Sequence, residues 1–185
     1  MPKASDRAWI AALPKAEVHL HLEGCVPAQV AGGGSDPAPP PAITSLAELL
    51  SYLDWSCGRI ERADQLSEIA RQLGQRARAA GARHLDVIVN PSHWPHWRRR
   101  LGAMVDALNG PFAEAEQDGG ASVGLCISLS RTDSSGEAAE LVDRLLSLAH
   151  PRVVGLSIDG NEAEGSHNDR FASAFTRAGR SGLHR

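Results

Sequence analysis

Leu13-Pro14-Lys15-Ala16-Glu17-Val18-His19-Leu20-His21-Leu22-Glu23-Gly24 decides how this chain is read, because a short apolar strand here carries two imidazoles two residues apart. Successive side chains of a β-strand alternate faces, so Glu17, His19 and His21 share one face while Val18, Leu20 and Leu22 take the other. One face is apolar and the other is a site. Two neutral imidazoles converging from one strand suit a borderline-soft divalent ion such as zinc, whose catalytic sites usually take three protein ligands and keep a position open for water. Two ligands do not complete such a site, so the others must come from elsewhere.

Outward from this strand the chain alternates between two periodicities. Residues 31–43, with Gly32-Gly33-Gly34 and Pro39-Pro40-Pro41, sustain neither helix nor strand and are expected to form a Gly/Pro-rich loop. Leu46, Leu49, Leu50 and Leu53 then recur at helical spacing, with Thr44 or Ser45 as the N-cap. A second helix over 63–80 buries Leu66, Ile69, Ala70 and Leu73, and Gly81 stops it. A strand over 85–89 ends at Asn90-Pro91, and a helix from near Arg98 carries Met104, Val105 and Leu108. Strands over 123–129 and 153–158 follow, separated by a helix over 136–149, and one more helix begins at Phe171.

Four strands separated by helices are the pattern of βα units on a parallel sheet, and their near-continuous apolar character predicts that both faces are covered. The expected fold class is α/β, of the (β/α)8 barrel type rather than an open doubly wound sheet. The site favours the barrel, since polar residues facing inward at C-terminal strand ends are where barrels place their chemistry. A whole barrel takes about 250 residues. Residues 1–185 therefore read as a single domain holding about the first four βα units, with a fifth strand due after Leu183 and His184.

Composition narrows the function classes. An apolar content of 42% is compatible with a folded core, and a net charge of -3 offers no attraction to nucleic acid or anionic membrane. Cys25, Cys57 and Cys126 lack CxxC spacing, which argues against disulfides and against a four-cysteine metal site. No apolar run approaches the ~20 residues of a membrane span, and the first residues lack a signal-peptide pattern, so a soluble cytoplasmic protein is expected.

The 13–24 stretch resembles the first barrel strand of the adenosine deaminase family, zinc-dependent aminohydrolases that convert adenine-type amines to the oxo compound and ammonia. Val153-Val154-Gly155-Leu156-Ser157-Ile158-Asp159-Gly160-Asn161-Glu162 is similar to the family's fourth-strand motif, and residues 171–183 to the helix that leads into its next strand. The resemblance implies a metal-dependent hydrolase barrel that binds Zn2+ and acts on adenosine or a related aminopurine. It implies that His19 and His21 are zinc ligands, that His21 and Glu23 touch substrate, and that Gly160 approaches the base through its backbone. Glu23 would bond the sugar or its surrogate.

The family's next strand carries an HAGE motif with a third histidine ligand and the acid that protonates the purine. Neither this motif nor the later water-orienting histidine and aspartates occurs in the 185 residues. The 185-residue chain is accordingly expected to be inactive alone. The alternative is a noncatalytic truncated paralogue or half-barrel interaction remnant, whose open strand edges invite self-association. Ser157 and Asp159 stand where the family commonly has an acid and a small residue, and Asn90-Pro91-Ser92-His93-Trp94 replaces its usual second-strand ending.

Other features read more plainly. His93-Trp94-Pro95-His96-Trp97-Arg98-Arg99-Arg100 interleaves aromatic and basic residues, but in a net acidic chain it reads as a βα loop and helix start rather than a nucleic-acid patch. On the site face of a barrel, Trp94 or Trp97 is placed to wall a pocket. His184 is expected to be solvated, and His84, His150 and His167 to flank elements without a catalytic role. The triple glycine has no phosphate-loop context, and HxE followed by PCxxC, the signature of the other zinc deaminase class, is absent.

Overall fold

The structure is a computed structural model that describes residues 4–32, 42–162 and 168–184. Residues 33–41 of the expected loop, and His167, lie outside the described residues. In chain order the elements are α1 (Ala4–Ala12), β1 (Lys15–His21), α2 (Ala28–Gly32), α3 (Leu46–Cys57), α4 (Ala63–Ala79) and β2 (Ala82–Val89). They continue with α5 (Leu101–Gln117), β3 (Ser122–Ser130), α6 (Ser135–Leu148), β4 (Val153–Asp159) and α7 (Ala172–Arg180). The four strands lie in one parallel sheet in the order β1-β2-β3-β4. This is the α/β arrangement expected, with each neighbouring pair joined through helix.

Local chemistry sets the element ends. Ser45 caps α3 through a capping box: its hydroxyl accepts from the Glu48 N–H at 3.2 Å while the Glu48 carboxylate accepts from the Ser45 N–H at 3.1 Å. Ser134 and Glu137 repeat the device at α6. Gly81, at φ +74, follows α4 and turns the chain into β2. Pro111 lies inside α5 and has no N–H for the Ala107 carbonyl one turn back. The Ser67 hydroxyl of α4 donates to that carbonyl at 2.9 Å, which satisfies the orphan and ties the two helices together.

Several boundaries differ from the sequence expectation. Ala31 and Gly32 close α2 instead of opening the loop. α5 begins at Leu101 rather than near Arg98, because Trp94 and Trp97 are both 0% exposed and the chain turns twice to bury them. β2 begins at Ala82, so His84 lies inside the strand, where its ring bonds Ser122 at 2.8 Å and Asp86 at 3.0 Å. α1 carried no sequence expectation.

The helices cover one face of the sheet. Leu85, Val87 and Val89 of β2 and Leu125, Ile127 and Leu129 of β3 are buried in the same core as Leu66, Ile69, Met104, Leu108 and Leu145. The expectation that both faces are covered is corrected on the other side of the sheet. There Glu17, His19, His84, Asp86, Cys126 and Ser157 retain solvent access, as suits a surface that lines a barrel interior. Val18 is 64% exposed as well, so the apolar face of β1 is covered only from Leu20 onward.

At the far edge, His184 pairs in parallel with β4. Its N–H donates to the Val154 carbonyl and its carbonyl accepts from the Leu156 N–H, both at 2.9 Å. This is an isolated bridge beside Gly155, below the C-terminal strand ends. None of the helices of the described residues is long and apolar enough to cross a membrane.

Candidate functional site

The site is built at the C-terminal ends of β1, β2 and β4. In β1 the two-residue period puts both imidazoles on one face, and their Nε2 atoms approach to 3.2 Å with ring centroids 5.2 Å apart. Zinc–nitrogen bonds of about 2.0–2.1 Å in a tetrahedron place two ligand nitrogens about 3.3 Å apart. The spacing of His19 and His21 therefore matches one edge of such a tetrahedron.

After His21 the chain enters a single tight turn, Leu22–Cys25, whose Leu22 and Cys25 are buried in the core. That turn carries Glu23 beneath the end of β2, where the residue is only 2% exposed. Its Oε1 accepts from the Asn90 N–H at 2.8 Å and from the Trp94 indole N–H at 2.7 Å, while Oε2 is buried without a hydrogen-bond partner. Burial dominates its electrostatics and pushes the carboxyl up to about 7, against the opposing pull of the Trp94 and Asn90 donors.

Asn90, 1% exposed, links three strand ends. Its N–H holds Glu23 after β1, and its side-chain amide donates to Asp159 Oδ1 at the end of β4. Its own Oδ1 accepts from the N–H and hydroxyl of Ser92, at 2.9 and 2.7 Å. Asp159 Oδ2 and Glu23 Oε2 then lie 3.6 and 3.8 Å from His21 Nδ1. Partial burial lowers the pKa of His21, the Asp159 carboxylate offsets this, and His19 and His93 lower it further. A lowered pKa keeps the imidazole neutral, which is the form that donates a lone pair.

Gly160 follows Asp159 with φ +111, a conformation that favours glycine. The segment is tied to the end of β3: the Arg131 N–H donates to the Asp159 carbonyl at 2.8 Å, and the Arg131 guanidinium reaches Glu162 at 3.1 Å and Asn168 at 3.2 Å. His19, His21 and Glu23 are thus gathered with Asp159 in one cluster, and Gly160 joins it by chain adjacency.

Trp94 and Trp97 do not wall a pocket. Both are fully buried; Trp94 holds Glu23 and the Trp97 indole donates to the Ile60 carbonyl at 2.6 Å. His184 is exposed and contributes nothing at the strand ends. The three cysteines are free, and burial raises the pKa of each thiol, which disfavours thiolate chemistry. Among the described residues no group of three His, Cys, Asp or Glu side chains is arranged to hold a metal ion. Sequence reasoning missed Asn90 as a linker and Trp94 as the partner of Glu23. A polar residue closing a buried strand just before proline was the available signal for Asn90.

The chain belongs to the adenosine deaminase family, whose sequence profile matches residues 41–185. That match excludes the 13–24 stretch, so membership stands independently of the two histidines. Over 184 aligned residues the chain is 26% identical to an adenine deaminase of Cupriavidus pinatubonensis, with 92% of this chain and 52% of the relative covered. The crystal structure of an adenine deaminase from Arthrobacter aurescens superposes with a TM-score of 0.81 at 26% identity, covering 93% of this chain and 56% of that one. An amidohydrolase from Burkhoderia ambifaria with bound Zn gives a TM-score of 0.81 at 25% identity, over 99% and 54% of the two chains. The chain spans about half the length of the curated relatives it matches.

Proposed function

We propose that these strand ends form the first part of the zinc site of an aminopurine deaminase, with His19 and His21 as two of the metal ligands. The observation that carries this reading is the 3.2 Å approach of the two Nε2 atoms from one strand face, in a chain whose relatives include adenine deaminases and a Zn-bound amidohydrolase. Zinc held there would polarise a water toward attack on the amine-bearing ring carbon.

The chain's own residues supply binding and orientation. Gly160 brings backbone close to the base, and Glu23 is the acceptor for a substrate donor. Adenine is the favoured substrate over adenosine, on the strength of the relatives' activity. An acid for the purine ring and a third histidine are expected from outside these 185 residues.

Metal binding tests the reading directly. Co2+ or Zn2+ added to the chain is expected to form a complex whose affinity falls at least tenfold in His19→Ala and in His21→Ala. Binding indifferent to both substitutions would overturn the ligand assignment. In a purine ultraviolet assay the isolated chain is expected to deaminate neither adenine nor adenosine above background. Steady zinc-dependent turnover abolished by His19→Ala would show that the missing groups are not required.

A further inference from the structure

We propose that Asn90 is a positioning residue that sets the tautomer of His21. Its main-chain N–H and its side-chain amide each take one oxygen of a different carboxylate, Glu23 Oε1 at 2.8 Å and Asp159 Oδ1. In each case the second oxygen faces His21 Nδ1, at 3.8 Å from Glu23 and 3.6 Å from Asp159. Two acceptors on that side keep the ring proton on Nδ1 and leave the Nε2 lone pair aimed at His19. Closing the shorter gap to a hydrogen bond takes a shift of about 0.5 Å.

The amide is suited to this task in a way a carboxylate is not. Ser92 donates twice to Asn90 Oδ1, through its N–H and its hydroxyl. That fixes which end of the amide is oxygen, so Nδ2 is the atom that meets Asp159. An aspartate at position 90 would set one carboxylate against another and turn Asp159 away from His21. In the metal-free chain the 3.2 Å contact between the imidazoles then has one sense, His19 Nε2–H donating to His21 Nε2. When a metal takes the Nε2 lone pair, the Nδ1–H held by a carboxylate is the outer arrangement that orients histidine ligands and raises their basicity.

The inference rests on the zinc reading for its consequence only, since the tautomer belongs to the metal-free chain. The test is the ring-nitrogen NMR spectrum of the 15N-histidine-labelled 185-residue chain, above the pH where imidazoles titrate, with His21 assigned by its loss in His21→Gln. The parent is expected to show His21 protonated on Nδ1, and Asn90→Asp and Asp159→Ala each to shift it to the Nε2–H form. A His21 already protonated on Nε2 in the parent, or ring signals unmoved in both variants, would overturn the proposal. A residue of structural importance alone would lower stability without moving those signals. Asp159→Ala, at a partly exposed side chain, keeps the test open should Asn90→Asp fold poorly. Zn2+ affinity should fall 10–100-fold in the same variants; the tautomer shift without any zinc binding in the parent would reject the metal reading and leave this one standing.

Discussion

Replacing Trp94 with alanine is expected to lower the unfolding free energy by about 3–5 kcal/mol, the range for deleting a large buried aromatic side chain. The indole is fully buried, so its loss leaves a cavity in the core between the end of β2 and the turn after β1. It also takes away one of the two donors to Glu23 Oε1, leaving the Asn90 N–H alone on a carboxylate that is itself buried. Trp94→Phe separates the two effects. A six-membered aromatic ring stays and the N–H goes with the pyrrole half of the indole, and a smaller cost of about 1–3 kcal/mol is expected for one lost hydrogen bond to a buried carboxylate that keeps the Asn90 N–H. Urea unfolding of the two variants checks this ordering. A phenylalanine variant as unstable as the alanine one would mean that the hydrogen bond, not the packing, carries the effect.

Glu23 should make the stability of the metal-free chain depend on pH in a direction unusual for a carboxylate. In the folded chain its proton is held until about pH 7, whereas in the unfolded chain it leaves near the ordinary value of 4.5. Between those limits the native state binds more protons than the unfolded state, so unfolding free energy falls as pH rises. The contribution is fully present below about pH 4.5 and lost above about pH 7, amounting to roughly 3 kcal/mol at most. His21, with its lowered pKa, acts in the opposite sense below its ordinary value of 6.5, where protonation favours the unfolded chain.

The difference between the parent and Glu23→Gln isolates the carboxyl, because the glutamine keeps an acceptor for Asn90 and Trp94 and cannot titrate. Unfolding free energies measured from pH 5 to pH 8 should show the parent losing stability relative to Glu23→Gln. Parallel profiles would mean that Glu23 titrates in the fold as it does unfolded.

How much of this was legible beforehand depends on the range of the interaction. The helix at 46–57 was readable because its leucine spacing and the Ser45–Glu48 pair are local, and the same holds for Gly81 after α4. The site was legible as far as the two-residue period of β1 reaches, which is why His19 and His21 were found together. Trp94 was misread as a pocket wall because the barrel rule places its loop on the site face without saying which way the ring turns. It is buried in the core instead, with its N–H on Glu23, 71 residues away.

Sequence by itself determined the succession of βα units, the parallel sheet that such succession requires, and the shared face of the two imidazoles. Each follows from periodicities of two or 3.6 residues that act within a single element. Only the tertiary structure decided that Glu23 is buried, that His21 faces two carboxylates, and that Asn90 holds them both. Those contacts join residues 67 and 69 positions apart. No local period encodes such pairs; they arise when parallel strands align their C-terminal ends and buried polar groups there must find partners among whatever the neighbouring strands present.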